Sequence, residues 1–188
     1  MNKYLILVKH SLPEIVENVP AREWKLSEIG KERAGKLADQ LQEYNPEIII
    51  SSVEPKAIAT AEIIAKKLEL PVYVTQGFHE HDRRNTSFLS KDEFQKAAHE
   101  FFNRPEELVF GNETANQAHE RFDSAVRSVL KFHQEKTIVL VAHGTVISLF
   151  VSRLIGSNSY SLWAELGLPS YLVLDMQSNS LIQKENIS

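Results

Sequence analysis

A chain of 188 residues, 43% hydrophobic and 24% charged, is expected to form one globular domain over positions 1–188, with a core that needs no staples. A net charge of −4 without any lysine- or arginine-rich run argues against nucleic acid as a partner. The absence of cysteine excludes disulfides, zinc–thiolate sites and a thiolate nucleophile.

Residues 4–8 (Tyr-Leu-Ile-Leu-Val) are apolar at successive positions, as in a strand covered on both faces of a parallel sheet. The run is too short for a signal-peptide core or a bilayer span, so a cytoplasmic protein with no membrane partner is expected. Ser27 is an N-cap for a helix to about Tyr44, with Ala34, Leu37, Ala38 and Leu41 as its apolar stripe and Asn45-Pro46 as its stop. Residues 47–51 read as a second buried strand. Residues 57–68 read as a helix with Ile58, Ala61, Ala65 and Leu68 inward, and 71–75 as a third strand. The polar stretch 76–111 contains a helix near 91–102. A helix over 115–133 buries Ala118, Phe122, Ala125 and Val129, a fourth strand follows at 137–142, and a helix at 146–155. Strands at 171–176 and, at an edge, 181–186 complete the pattern. Alternating strands and helices predict a three-layer α/β/α sandwich with a mostly parallel central sheet.

In such folds ligands bind beyond the carboxyl ends of the strands. Those ends carry Lys9-His10-Ser11, Ser51-Ser52, Phe78-His79-Glu80-His81 and Ala142-His143-Gly144-Thr145, with Lys56 just inside the helix after the second strand. Two histidines, a glutamate and lysines are the parts that phosphate-ester chemistry needs. An imidazole attacks phosphorus, a carboxyl group protonates the leaving oxygen, and cations hold the phosphoryl oxygens.

At these residues the sequence resembles the histidine phosphatase superfamily, which includes the cofactor-dependent phosphoglycerate mutases. Lys9-His10-Ser11 matches the family's Arg-His-Gly, and Leu26-Ser27-Glu28-Ile29-Gly30 its Leu-Thr/Ser-x-x-Gly. The run from Ser52 to Ala61 is similar to Ser-Pro-x-x-Arg-Ala-x-Gln-Thr-Ala, with Lys56 at the arginine position. Phe78-His79-Glu80 resembles the Leu-x-Glu acid motif, residues 111–114 approach Gly-Glu-Ser, and Ala142-His143-Gly144 matches the closing Ser/Thr-His-Gly. The resemblance implies a phosphoglycerate mutase-like fold and a phosphatase acting on a small phosphorylated substrate. It implies that His10 is the nucleophile, forming a phosphohistidine, and that Glu80 is the general acid and base. His143, Lys9, Lys56 and the backbone at Gly144 would hold the phosphoryl group. No metal or other cofactor is implied. The segment after Glu80 does not resemble the mutase pattern.

The family has arginine where this chain has Lys9 and Lys56, and lysine lacks the planar fork that binds two phosphate oxygens at once. Arg83 and Arg84 are the candidate replacements, with Arg22 behind them. The alternative is a catalytically weak or silent phosphoester-binding or regulatory member of the same family. A metallohydrolase built on His79, His81 and Asp82 is a third reading, although neither His99-Glu100 nor His119-Glu120 completes a His-Glu-x-x-His motif. Trp24, Phe88, Phe101 and Trp163 are candidates for the walls of the site entrance, against the plainer reading that they are core.

Overall fold

The computed structural model describes residues 4–17, 19–134 and 136–188. Its strands are β1 (Tyr4–Lys9), β2 (Ile48–Ser51), β3 (Val72–Val74), β4 (Ile138–Ala142), β5 (Ser170–Asp175) and β6 (Ser180–Asn186). Its α-helices are α1 (Glu28–Leu41), α2 (Pro55–Leu68), α3 (Lys91–Asn103), α4 (Ala115–Phe132), α5 (Gly144–Ile155) and α6 (Ser159–Glu165). The strands form one six-stranded sheet in the order β3-β2-β4-β1-β5-β6. The pairs β3–β2, β2–β4 and β4–β1 are parallel, while β5 runs antiparallel to β1 and β6 antiparallel to β5.

Successive side chains of a strand point to opposite faces, so a strand buried on both sides feeds two cores at once. Leu5, Leu7, Ile48, Ile50, Ile138 and Leu140 pack with Phe101, Phe122, Val126, Ile147 and Phe150, on the side of α3, α4 and α5. Their strand neighbours Ile6, Val8, Ile49, Val139 and Val141 pack with Leu37, Leu41, Ala57 and Ile64, on the side of α1 and α2. These are the expected three layers. No helix among the described residues is long and apolar enough to cross a membrane.

Local signals account for most boundaries. Ser27 caps α1 by accepting from the Gly30 amide, and capping boxes open α3 (Ser90 with Glu93) and α4 (Thr114 with Gln117). Several expectations need correction, among them α5, which starts at Gly144 rather than 146, and Ala125 of α4, which is only partly covered while Val126 is buried. The helix to Tyr44 stops being α-helical at Leu41 and ends in a 3₁₀ turn over Gln42–Tyr44. The helix α2 starts earlier than expected, because Pro55 takes the first helical position where its missing N–H costs nothing. Its buried face is accordingly Lys56, Ala57, Thr60, Ala61, Ile64 and Ala65, with Ile58 and Leu68 only partly covered. The short helix α6, capped by Asn158, was not expected from the pattern at all.

Candidate active site

Register brings the two histidines together. In the parallel pair β1–β4, Lys9 lies opposite Ala142, so the next residues, His10 and His143, leave adjacent strand ends side by side. The His10 amide donates to the Ala142 carbonyl at 3.0 Å, and the two imidazole rings lie 5.2 Å apart, edge to face.

His10 is 7% exposed, and its Nδ1 lies 2.7 Å from the Ser11 carbonyl oxygen. A carbonyl only accepts, so Nδ1 carries the proton and Nε2 keeps its lone pair. Burial, then the neighbouring His143 and Lys56, holds the His10 pKa well below the ordinary histidine value, so the ring is neutral. The segment after β1 is locked in turn. The Ser11 amide donates to Thr60 Oγ1 at 3.0 Å, and its hydroxyl donates to the Gly30 carbonyl at 2.6 Å. Gly30 permits this approach, since a Cβ there would lie 2.1 Å from the Leu12 carbonyl oxygen. The Ser27 hydroxyl also donates to Leu12, which docks the start of α1 on the strand end.

His143 is fully buried, with Nε2 at 2.8 Å from Ser52 Oγ and 3.6 Å from Glu54 Oε1. Burial first, and then the Lys56 charge, lowers its pKa well below the ordinary value, with Glu80 pulling the other way. Its Nδ1 is buried with no hydrogen-bond partner among the described residues.

The Glu80 carboxylate closes this group. Its Oε2 accepts from the Thr145 amide at 3.1 Å, in the first turn of α5, and its Oε1 from the His81 amide at 2.9 Å. Burial pushes its pKa up, but His143, Arg83 and the two amide donors outweigh that and hold it below the usual carboxylate range.

The cations divide. Lys9 donates to the Leu166 carbonyl at 2.7 Å, and burial, opposed by Glu80, lowers its pKa to about 8. Gly144 makes room for it, since a Cβ there would meet Lys9 Cε at 3.0 Å. Lys56 is 5% exposed and donates to the Ala21 carbonyl at 2.6 Å and to Glu54 Oε2 at 2.7 Å. Arg83 lies 4.7 Å over the Phe94 ring, and its charge acts on Glu80 and His143. Arg84 is turned to solvent, 62% exposed, with its guanidinium spent on both oxygens of Asp82. Arg22 is also half exposed, although Ala21 beside it holds Lys56.

The other candidate groupings fall apart. His81 packs on Phe101 at 4.2 Å and Phe110 at 4.8 Å, and Asp82 is paired with Arg84. Among the described residues no three His, Asp or Glu side chains come together as a metal-binding group. Phe101 is core, Trp163 stacks with Tyr160 and packs at a tilt against Phe102, and the Trp24 indole donates to the Val16 and Val19 carbonyls. Phe88 alone of the four is largely exposed.

Two residues that shape the site went unread in the sequence. Glu54, 6% exposed, lies between Lys56, His143 and the Glu80 amide, which donates to it at 2.8 Å. Arg121, on α4, donates to the Gly77 and His79 carbonyls at 2.9 Å each and pairs with Glu113 at 2.6 Å, so it ties down the loop that carries Glu80. The only hint of Arg121 was its place beside the buried stripe of α4, and the only hint of Glu54 its position between Ser52 and Lys56.

The family model of the histidine phosphatase superfamily (branch 1) matches residues 5–183. The chain belongs to this superfamily. A curated relative, phosphoserine phosphatase 1 of Hydrogenobacter thermophilus, is 28% identical, the match covering 98% of this chain and 92% of the relative. The uncharacterized phosphatase PhoE of Bacillus subtilis is 24% identical over 71% of this chain, and the match spans 66% of PhoE, just under two thirds of its length. Among solved structures, a phosphoserine phosphatase of Entamoeba histolytica in complex with phosphoserine superposes with a TM-score of 0.80 at 19% identity, covering 97% of this chain and 96% of that one. A mycobacterial glucosyl-3-phosphoglycerate phosphatase gives 0.75 at 20% identity, covering 99% and 97%. At these identities the structures show that the histidine phosphatase fold is shared along nearly the whole chain.

Proposed function

We propose that the chain is one catalytic domain that hydrolyses the phosphomonoester of a small phosphorylated metabolite through a phosphohistidine, without a metal. The observation that carries this reading is the His10 ring, neutral and with its Nδ1 proton committed to the Ser11 carbonyl, so that Nε2 is the nucleophilic nitrogen. Nε2 attacks phosphorus as the ester P–O bond breaks, and the proton from Glu80 goes to the leaving oxygen. Water then attacks the phosphohistidine, Glu80 takes its proton, the P–N bond breaks, and phosphate leaves with His10 neutral again. Glu80 is ionised in the free site, but a phosphoryl dianion beside it raises its pKa by like-charge repulsion and so loads the acid. Lys9, Lys56, the His143 Nδ1 that has no partner among the described residues, and amides at the start of α5 are the donors for the phosphoryl oxygens. The reaction belongs in the cytoplasm, where such metabolites are held.

The test is phosphate release from a panel including phosphoserine, 3-phosphoglycerate and an aryl phosphate, with chelator present. Release from at least one metabolite is expected. Phosphate binding without release from any of them would point instead to a binding or regulatory module, for which two lysines in place of arginines suffice.

Lys9 sets an upper pH limit. In the free enzyme its ammonium is charged below about 8 and loses its proton above that value. We expect kcat/KM to fall roughly tenfold per pH unit on the alkaline side of this point. Lys9→Arg should move the fall upward, because a guanidinium does not titrate there. A flat profile from pH 7 to 10 would remove Lys9 from phosphate binding.

A further inference from the structure

Resting on the phosphatase reading above, we infer that Glu54 is a positioning residue that aims the Lys56 ammonium at the phosphoryl group and ties it to the Glu80 loop, in place of the rigidity an arginine would bring. Glu54 stands at the N-cap of α2, yet its side chain makes no capping hydrogen bond. It turns inward instead and is 6% exposed, a depth at which a carboxylate is found only with partners. One oxygen takes the Lys56 ammonium at 2.7 Å, and the other takes the Glu80 amide at 2.8 Å. One carboxylate therefore joins the cation that follows β2 to the backbone of the acid that follows β3.

Lysine is a point charge on a flexible stem, so by itself it has no preferred direction toward an anion. Lys56 has three N–H donors. One goes to the Ala21 carbonyl at 2.6 Å and one to Glu54, and with two directions fixed the third is fixed as well. The carboxylate that holds the ammonium also lies 3.6 Å from His143 Nε2, and the His143 ring lies 5.2 Å from that of His10, so Lys56 stands at the edge of the histidine pair. Arg84 cannot supply the missing fork, being held by Asp82. A carboxylate near an incoming dianion repels it. The opposing possibility is therefore that Glu54 competes with phosphate for Lys56, and the two roles predict opposite signs.

Glu54→Gln keeps an oxygen for the Glu80 amide and removes the charge facing Lys56. The inhibition constant for inorganic phosphate and the kcat and KM for an aryl phosphate are measured in this variant, in Lys56→Arg and in the double variant, with thermal melts confirming the fold. We expect Glu54→Gln to raise KM and the phosphate inhibition constant about tenfold with kcat changed less than about threefold, and to cost less than about threefold once Lys56 is arginine. Tighter phosphate binding in Glu54→Gln would overturn the proposal, and so would equal losses in both backgrounds. A loss confined to kcat in Glu54→Gln overturns it without reference to Lys56→Arg. Wild-type protein that hydrolyses none of the esters, whether or not it binds phosphate, overturns the phosphatase reading itself, whereas active wild type with an indifferent Glu54→Gln overturns only this inference.

Discussion

His10→Ala should lose turnover by about 10³-fold or more while melting close to the wild-type temperature. The effect is large because no other side chain replaces the attacking nitrogen. His143, the nearest imidazole, has its Nε2 engaged with Ser52. The fold should tolerate the change, because His10 stands just past the end of β1, outside both apolar clusters. Its one side-chain hydrogen bond among the described residues, to the adjacent Ser11 carbonyl, joins no separate elements. Brief exposure of wild-type protein to substrate should leave a phosphate that is labile in acid and stable in base, mapped to His10 by peptide mass. Normal turnover by His10→Ala would end the phosphohistidine mechanism, and a label on another residue would move it.

Glu80→Gln should slow esters with poor leaving groups by about 10²–10⁴-fold and aryl phosphates far less, since an activated leaving oxygen needs little protonation. Glutamine keeps an oxygen for the Thr145 or His81 amide, so the loop should hold its place and the loss report proton transfer alone. The carboxylate is ionised in the free site, so substrate must arrive before the acid is loaded. The ratio of rates on alkyl and aryl esters, measured in wild type and variant, is the readout. Equal losses on both substrate types would take Glu80 out of the acid role and leave it as an anchor for the start of α5.

Much of this was legible in the sequence because it is local. Runs such as Ile138–Ala142 report a strand buried on both faces, and Ser27 marks a helix start through its own hydroxyl. Strand ends are where such folds bind ligands, so the sequence alone singles out His10, Glu80 and His143. Other features were decided only by tertiary structure. The adjacency of His10 and His143 depends on β1 pairing with β4 across a long sequence separation, which no local pattern encodes. Hydrophobic periodicity reads charged side chains as solvated, so it places Ala61 and Ala65 of α2 correctly inward but sets the buried face a fraction of a turn off, and it passes over Glu54 and Arg121. Lys56 and Glu54 are buried because each neutralises the other, and Arg121 is held inward by Glu113 and the carbonyls of the Glu80 loop. The fate of Arg83 and Arg84, neighbours of the same charge, was settled by what lay near each: an aromatic ring for the first, the Asp82 carboxylate for the second. Apolar burial is written along one segment at a time. The placement of a buried charge depends on a partner from another segment, and folding alone brings the two together.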